Sequence, residues 1–100
     1  MRSPEAPLPE PVVWALGPGL ARADIPGLCD RLEILLDAVD GVVEFDVSAV
    51  HRPDAVTVDA LARLHLAARR RGRRIQISGA SPGLVALLSL IGLADVLPLR

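Results

Sequence analysis

Few side chains in this sequence are of a type that does chemistry, and their spacing brings them into no catalytic set. Cys29 stands alone, so it can form neither an internal disulfide nor a zinc-ligand pair. It falls at an apolar position of a helical pattern, which makes it a small hydrophobe, since a reactive thiol needs access and an activating cation. His51 lies beside Arg52 in a predicted loop, and His65 lies at the edge of an apolar stripe. They read as a solvated loop histidine and a boundary residue. No glycine-rich loop between a strand and a helix is present to cradle phosphate. The chain is therefore expected to be no enzyme and to need no cofactor or metal.

Arg69, Arg70, Arg71, Arg73 and Arg74 form the densest charge cluster. Such a cluster can bind phosphate or nucleic acid. Cations at the end of a helix also complement its dipole and cap its last carbonyls. No aromatic residue is nearby to stack on a base, and a formal net charge of −1 leaves no global field. Capping is the better reading, and nucleic acid is not an expected partner.

The junction at residues 46–58 has a different character: Asp46-Val47-Ser48-Ala49-Val50, a short loop, then Asp54-Ala55-Val56-Thr57-Val58. A buried strand here delivers the chain to the rim of a sheet, and a helix begins with Asp54 as its N-cap. A helix N-terminus offers free N–H groups and partial positive charge, a good seat for an anionic partner group.

The elements that must position this junction alternate. Val12-Val13-Trp14-Ala15-Leu16 is β-prone and is ended by Gly17-Pro18-Gly19. Asp24 offers an N-cap to a helix whose Ile25, Leu28, Cys29, Leu32, Leu35, Leu36 and Val39 follow helical spacing, with Gly41 at its end. Residues 42–47 form the second strand. The second helix runs from Asp54 to about Arg71 and stops at Gly72, with Val58, Leu61, Leu64, His65 and Ala68 toward the core. Residues 73–78 form a third strand. Ser81-Pro82 then opens a last helix, apolar nearly all round from Leu84 to Ile91, a pattern of deep burial or of a self-association face. The order β-α-β-α-β-α predicts an α/β fold with a small, mostly parallel sheet, flanking helices and right-handed crossovers. Residues 16–21 have room for a further short strand.

Composition sets the outer limits. One hundred residues make one domain, and 51% hydrophobic with 23% charged residues is globular. With one Trp, one Phe and no Tyr, the core is aliphatic. All eleven basic residues are arginine, a mark of high-GC bacterial coding. Residues 1–11 read as a flexible, proline-rich lead-in and residues 12–100 as the folded domain. No run is long enough to span a membrane, and the lone cysteine suits a reducing cytoplasm.

The run Asp46-Val47-Ser48-Ala49-Val50, followed by Asp54-Ala55-Val56-Thr57-Val58, resembles the STAS family, whose members carry Asp-Leu-Ser-Gly-Val and then Asp-Ser-Ser-Gly-Leu. Gly79-Ala80-Ser81-Pro82 and Leu88-Ser89-Leu90-Ile91-Gly92-Leu93-Ala94-Asp95-Val96-Leu97 fit its later strand, loop and helix, so the resemblance covers residues 12–100. It implies a STAS-like protein-interaction domain similar to the anti-sigma-factor antagonists of transcription regulation. Its partner would be a kinase-like anti-sigma factor that phosphorylates a serine after the aspartate. A second implication is an accessory subunit on the ATPase of a lipid-transport ABC complex. Asp54 matches the family aspartate. Ala55 and Val56 occupy the serine positions and bear no hydroxyl, so standard serine phosphorylation is not expected. Thr57 stands where the family has glycine. It is the one candidate phosphorylation site of residues 54–58, although capping or packing is its expected role. The expected partner-binding residues are Ser48, Asp54, Ala55, Val56, Thr57, Asp59 and Arg63, with Leu66 on the same outer side of the helix.

Overall fold

The computed structural model describes residues 11–100. The lead-in expected at residues 1–11 thus lies, but for Pro11, outside the described residues. Strands β1 (Val12–Ala15), β2 (Val43–Asp46) and β3 (Ile75–Ser78) alternate with helices α1 (Ile25–Ala38), α2 (Ala55–Arg70) and α3 (Pro82–Leu90). The sheet is parallel throughout in the order β1-β2-β3. Because both crossovers step the same way, right-handed connections set α1 and α2 side by side on one face.

Register explains which residues that face receives. Val12, Val43 and Ile75 are aligned across the sheet, as are Trp14, Phe45 and Ile77. Period-two alternation puts all six on the helix-covered face. Val43, Phe45 and Ile77 are fully buried, and Leu32, Leu36, Leu61, Leu64, Leu84 and Leu88 close over them in one cluster. Each such side chain contributes about 1.5–3 kcal/mol by leaving water. Trp14 packs at 5.1 Å between ring centroids on Phe45, and the Arg31 guanidinium lies 4.6 Å from the Trp14 ring. The other face carries Val13, Glu44 and Gln76 in register. There Glu44 accepts a hydrogen bond from Ser78 Oγ at 3.0 Å and pairs with Arg100.

Several local expectations are corrected. Asp24 stands at the N-cap position of α1, as expected, but its side chain does not cap that helix. Asp24 ends a 3-10 turn (Arg22–Asp24), and its carboxylate reaches back to the Ala21 N–H at 2.9 Å. Gly41 does not close α1 either: the cap is Val39, and Gly41 instead supplies a carbonyl. That carbonyl belongs to a staple absent from the sequence reading. Arg73, expected in β3, precedes the strand and donates to Leu36 O, Val39 O and Gly41 O, each at 2.8 Å. An arginine of the cluster therefore does cap helix carbonyls, but those of α1, where its planar fork meets several acceptors at once. No strand forms at residues 16–21. The sheet is extended at its other edge, where Leu99 bridges Ile77 in parallel.

The end of α2 follows the glycine signal. Gly72 has φ +67°, its N–H bonds to Arg69 O, and the Arg73 N–H bonds to Ala68 O, the two bonds of a Schellman motif. The last helix is not buried all round. Leu84 and Leu88 face the core, while Val85, Leu90 and Ile91 are exposed, Leu90 at 82%. No helix among the described residues is long and apolar enough to cross a membrane.

Candidate functional site

The junction at residues 46–58 lies at the carboxyl ends of the strands, where parallel sheets present their loops. Asp46 ends β2, and its Oδ1 accepts the Ser48 N–H at 2.9 Å. Ser48, by its side chain first and its backbone N–H second, holds the Asp46 carboxyl below its usual range. Gly79, at the end of β3, presses on this turn. Its φ is +74°, and a Cβ there would meet Asp46 Oδ1 and Ser48 Cβ at 2.9 Å. Only a glycine lets the two strand ends come this close.

Residues 49–53 then carry the chain to α2. Asp54 is its N-cap: Oδ1 accepts the Thr57 N–H at 3.0 Å and the Thr57 hydroxyl at 3.2 Å. The same hydroxyl accepts the Asp54 N–H at 3.5 Å, which closes a capping box. The Thr57 N–H bond is the main reason the Asp54 carboxyl sits below its usual range, with Arg22 adding a smaller pull. Thr57 is 5% exposed, turned inward as the third residue of the helix. Ala55, in the first helical position, is exposed, and Val56 is half-buried. A hollow of about 410 Å³ opens beside this terminus, walled by Leu16, Leu20, Val50, His51, Asp54 and Thr57.

The expected binding residues do not form one patch. Asp54 and Thr57 border the rim hollow. Asp59 and Arg63 lie further along α2, in a separate groove between α1 and α2. Ser48 is exposed and lies with Asp46 and Gly79, outside both. Within that groove Arg22 and Arg63 share one acid: Arg22 Nη1 is 2.7 Å from Asp59 Oδ2, and Asp59 Oδ1 also takes Arg63 Nε at 2.9 Å. Arg22, Cys29, Asp30, Glu33 and Arg70 in this groove were missed as site residues. No local signal marks Arg22, since its partner is 37 residues away.

The histidines stay apart from any constellation. His51 is exposed on the rim. His65 is half-buried on α2, its Nδ1 buried without a hydrogen-bond partner, and burial first, then Arg69, pushes its pKa down. Among the described residues no group of three or more His, Cys, Asp or Glu is placed to hold a metal ion.

The fold, with its parallel sheet and flanking helices, is found in a solved structure. That structure, similar to this chain, is of a sulfate transporter family protein from Wolinella succinogenes, with TM-score 0.64 and 24% identity. The likeness covers 94% of this chain and 80% of that one, and it shows the fold. No curated protein matches significantly in sequence. The sequence model of the family described as "Mlab, STAS domain" matches residues 9–99, nearly the whole length and the whole of the described sheet and helices. This chain belongs to the STAS domain family.

Proposed function

We propose that the chain is a non-catalytic protein-interaction domain that regulates a partner by docking through the rim at the N-terminus of α2. It would act as the anti-sigma-factor antagonists it resembles do, but without serine phosphorylation. The partner would be a kinase-like anti-sigma factor, the mechanism competitive docking, and the compartment the cytoplasm. The observation that carries this reading is Ala55. It is exposed at the first position of a capped helix, next to Asp54, which borders the rim hollow, and in the place of the family serine. A surface there would keep the helix-terminal N–H groups for docking while lacking the oxygen that would take a phosphoryl group. Buried Thr57 already uses its hydroxyl within the capping box, which supports a capping role over phosphorylation.

The test is pull-down of kinase-like anti-sigma factors from the same genome with the wild-type chain and Asp54→Lys. The expected result is capture by the wild type and loss with the variant. No capture of any candidate, together with no effect of the variant in cells, sinks the reading. A second reading, an accessory subunit of a lipid-transport ABC complex, is the other role that the STAS resemblance implies. Co-purification with a transport ATPase in place of a kinase-like protein would favour it.

A further inference from the structure

The groove between α1 and α2 has a build of its own. Its volume is about 450 Å³. Buried Ile25 and half-buried Cys29 lie on the α1 side of its floor, and Ala67 on the α2 side. Leu66 stands at its lip, 49% exposed. Its walls are charged, and with opposite signs. The α2 wall carries Arg63 and Arg70 against Asp59, which also holds Arg22 of the 3-10 turn ahead of α1; the α1 wall carries Asp30 and Glu33, and Glu33 lies 3.6 Å from Arg71 at the end of α2. The Cys29 thiol lies between them. Burial raises its pKa most, Asp30 and Glu33 raise it further, and Arg63 and Arg70 lower it.

We propose that this groove receives an amphipathic helix of a partner protein, its apolar stripe on the floor, an acidic flank along α2 and a basic flank along α1. The proposal rests on the docking reading above and adds a second surface to it. Charge complementarity commits it to this occupant, because a uniformly acidic or basic helix would meet one repelling wall. The walls also favour a helix over an extended segment. The mid-helix N–H and C=O groups of α1 and α2 are bonded within their own helices, so an extended segment would find no main-chain partners above the apolar floor. A helix brings its backbone already satisfied and packs between two others by ridges in grooves.

The experiment titrates the isotope-labelled full chain with three synthetic 18-residue helices sharing one leucine stripe. One carries Glu on one flank and Lys on the other, one carries Glu on both, and one Lys on both. Reversing a helix in the groove exchanges its flanks, so the mixed peptide fits whichever way it runs. The expected result is binding of the mixed peptide about tenfold tighter than either uniform one, as several surface charge pairs would give. Amide shifts should centre on Cys29, Leu66 and Ala67. In the double variant Arg63→Glu with Arg70→Glu, preference should pass to the all-Lys peptide. Equal binding of the three, binding of none, or shifts on another face overturns the proposal. So does a concentration-dependent dimer that closes the groove without peptide. Loss of partner capture on Asp54→Lys alongside any of these leaves the rim reading standing and removes only the groove.

Discussion

Gly79→Ala separates backbone strain from collision, because the structure contains its control. Both Gly72 and Gly79 have positive φ, at +67° and +74°. A Cβ added at Gly72 meets nothing within 4 Å, whereas at Gly79 it comes within 2.9 Å of Asp46 Oδ1 and Ser48 Cβ and 3.1 Å of Ser48 N. The left-handed conformation costs an alanine about 1–2 kcal/mol at either place. Gly79→Ala adds an overpacking cost of about 1–3 kcal/mol, since backbone and a hydrogen-bonded carboxylate must move. Its total is about 2–5 kcal/mol, a large part of the 5–15 kcal/mol typical of a domain. At roughly 4–8 °C per kcal/mol, the melting temperature falls by about 8–40 °C, and that of Gly72→Ala by about 4–16 °C. Urea denaturation and thermal melting of both variants make the measurement. A Gly79→Ala cost no larger than that of Gly72→Ala would show that the strand ends are not pressed together, and the account of the rim would fail with it.

Arg73→Ala should cost about 2–3 kcal/mol by urea denaturation, because a charged donor to three carbonyls is lost. Arg73→Lys, which keeps the charge but not the fork, should recover only part of that. His65 has a folded-state pKa below its unfolded value near 6.5. Its stabilisation is therefore complete above that value and is lost as pH falls through the folded one. His65→Gln should flatten the melting temperature between pH 7.5 and 5.5. Asp46 and Asp54 are lowered as well, so their stabilisation is present above the usual carboxylate pKa and disappears at more acid pH. A melting profile of Asp54→Asn that loses steepness only below about pH 4 checks this assignment. Incubation with the proposed kinase-like partner and ATP should leave residues 54–58 free of phosphate by mass spectrometry. A phosphate on Thr57 would contradict the capping box.

Much of the fold was legible because its signals are local. Helical spacing of Leu32 and Leu36, or of Leu61 and Leu64, needs only a few residues to be read; the buried residues of α1 all fall on its stripe, while α2 also buries Thr57, Ala60 and Ala67 outside the stripe read for it. Ser81 accepts from the Leu84 N–H as its position before Pro82 foretold. Errors came where a competing partner, near or distant, overrode the expected one. Asp24 had the look of a cap for α1, yet a 3-10 turn ahead of the helix takes its carboxylate. Gly41 and Arg73 were misread together, since neither shows in sequence that it will meet the other. The capping pair Asp54 and Thr57 could be read because its partners are three residues apart. The groove could not, because its acids and bases lie on helices separated by a whole strand.

The Arg73 staple has a consequence for the order of folding. Its three acceptors lie 32 to 37 residues upstream. Between them and the guanidinium come all of β2 and all of α2. The last turn of α1 can begin as a local helix, but its carbonyls find their final partner only after the chain has crossed the sheet and come back. Closing a loop of this length precedes the reward, so the staple belongs to the late side of the folding barrier. Its loss should quicken unfolding far more than it slows folding, and the end of α1 should be the first part of that helix to exchange its amide protons.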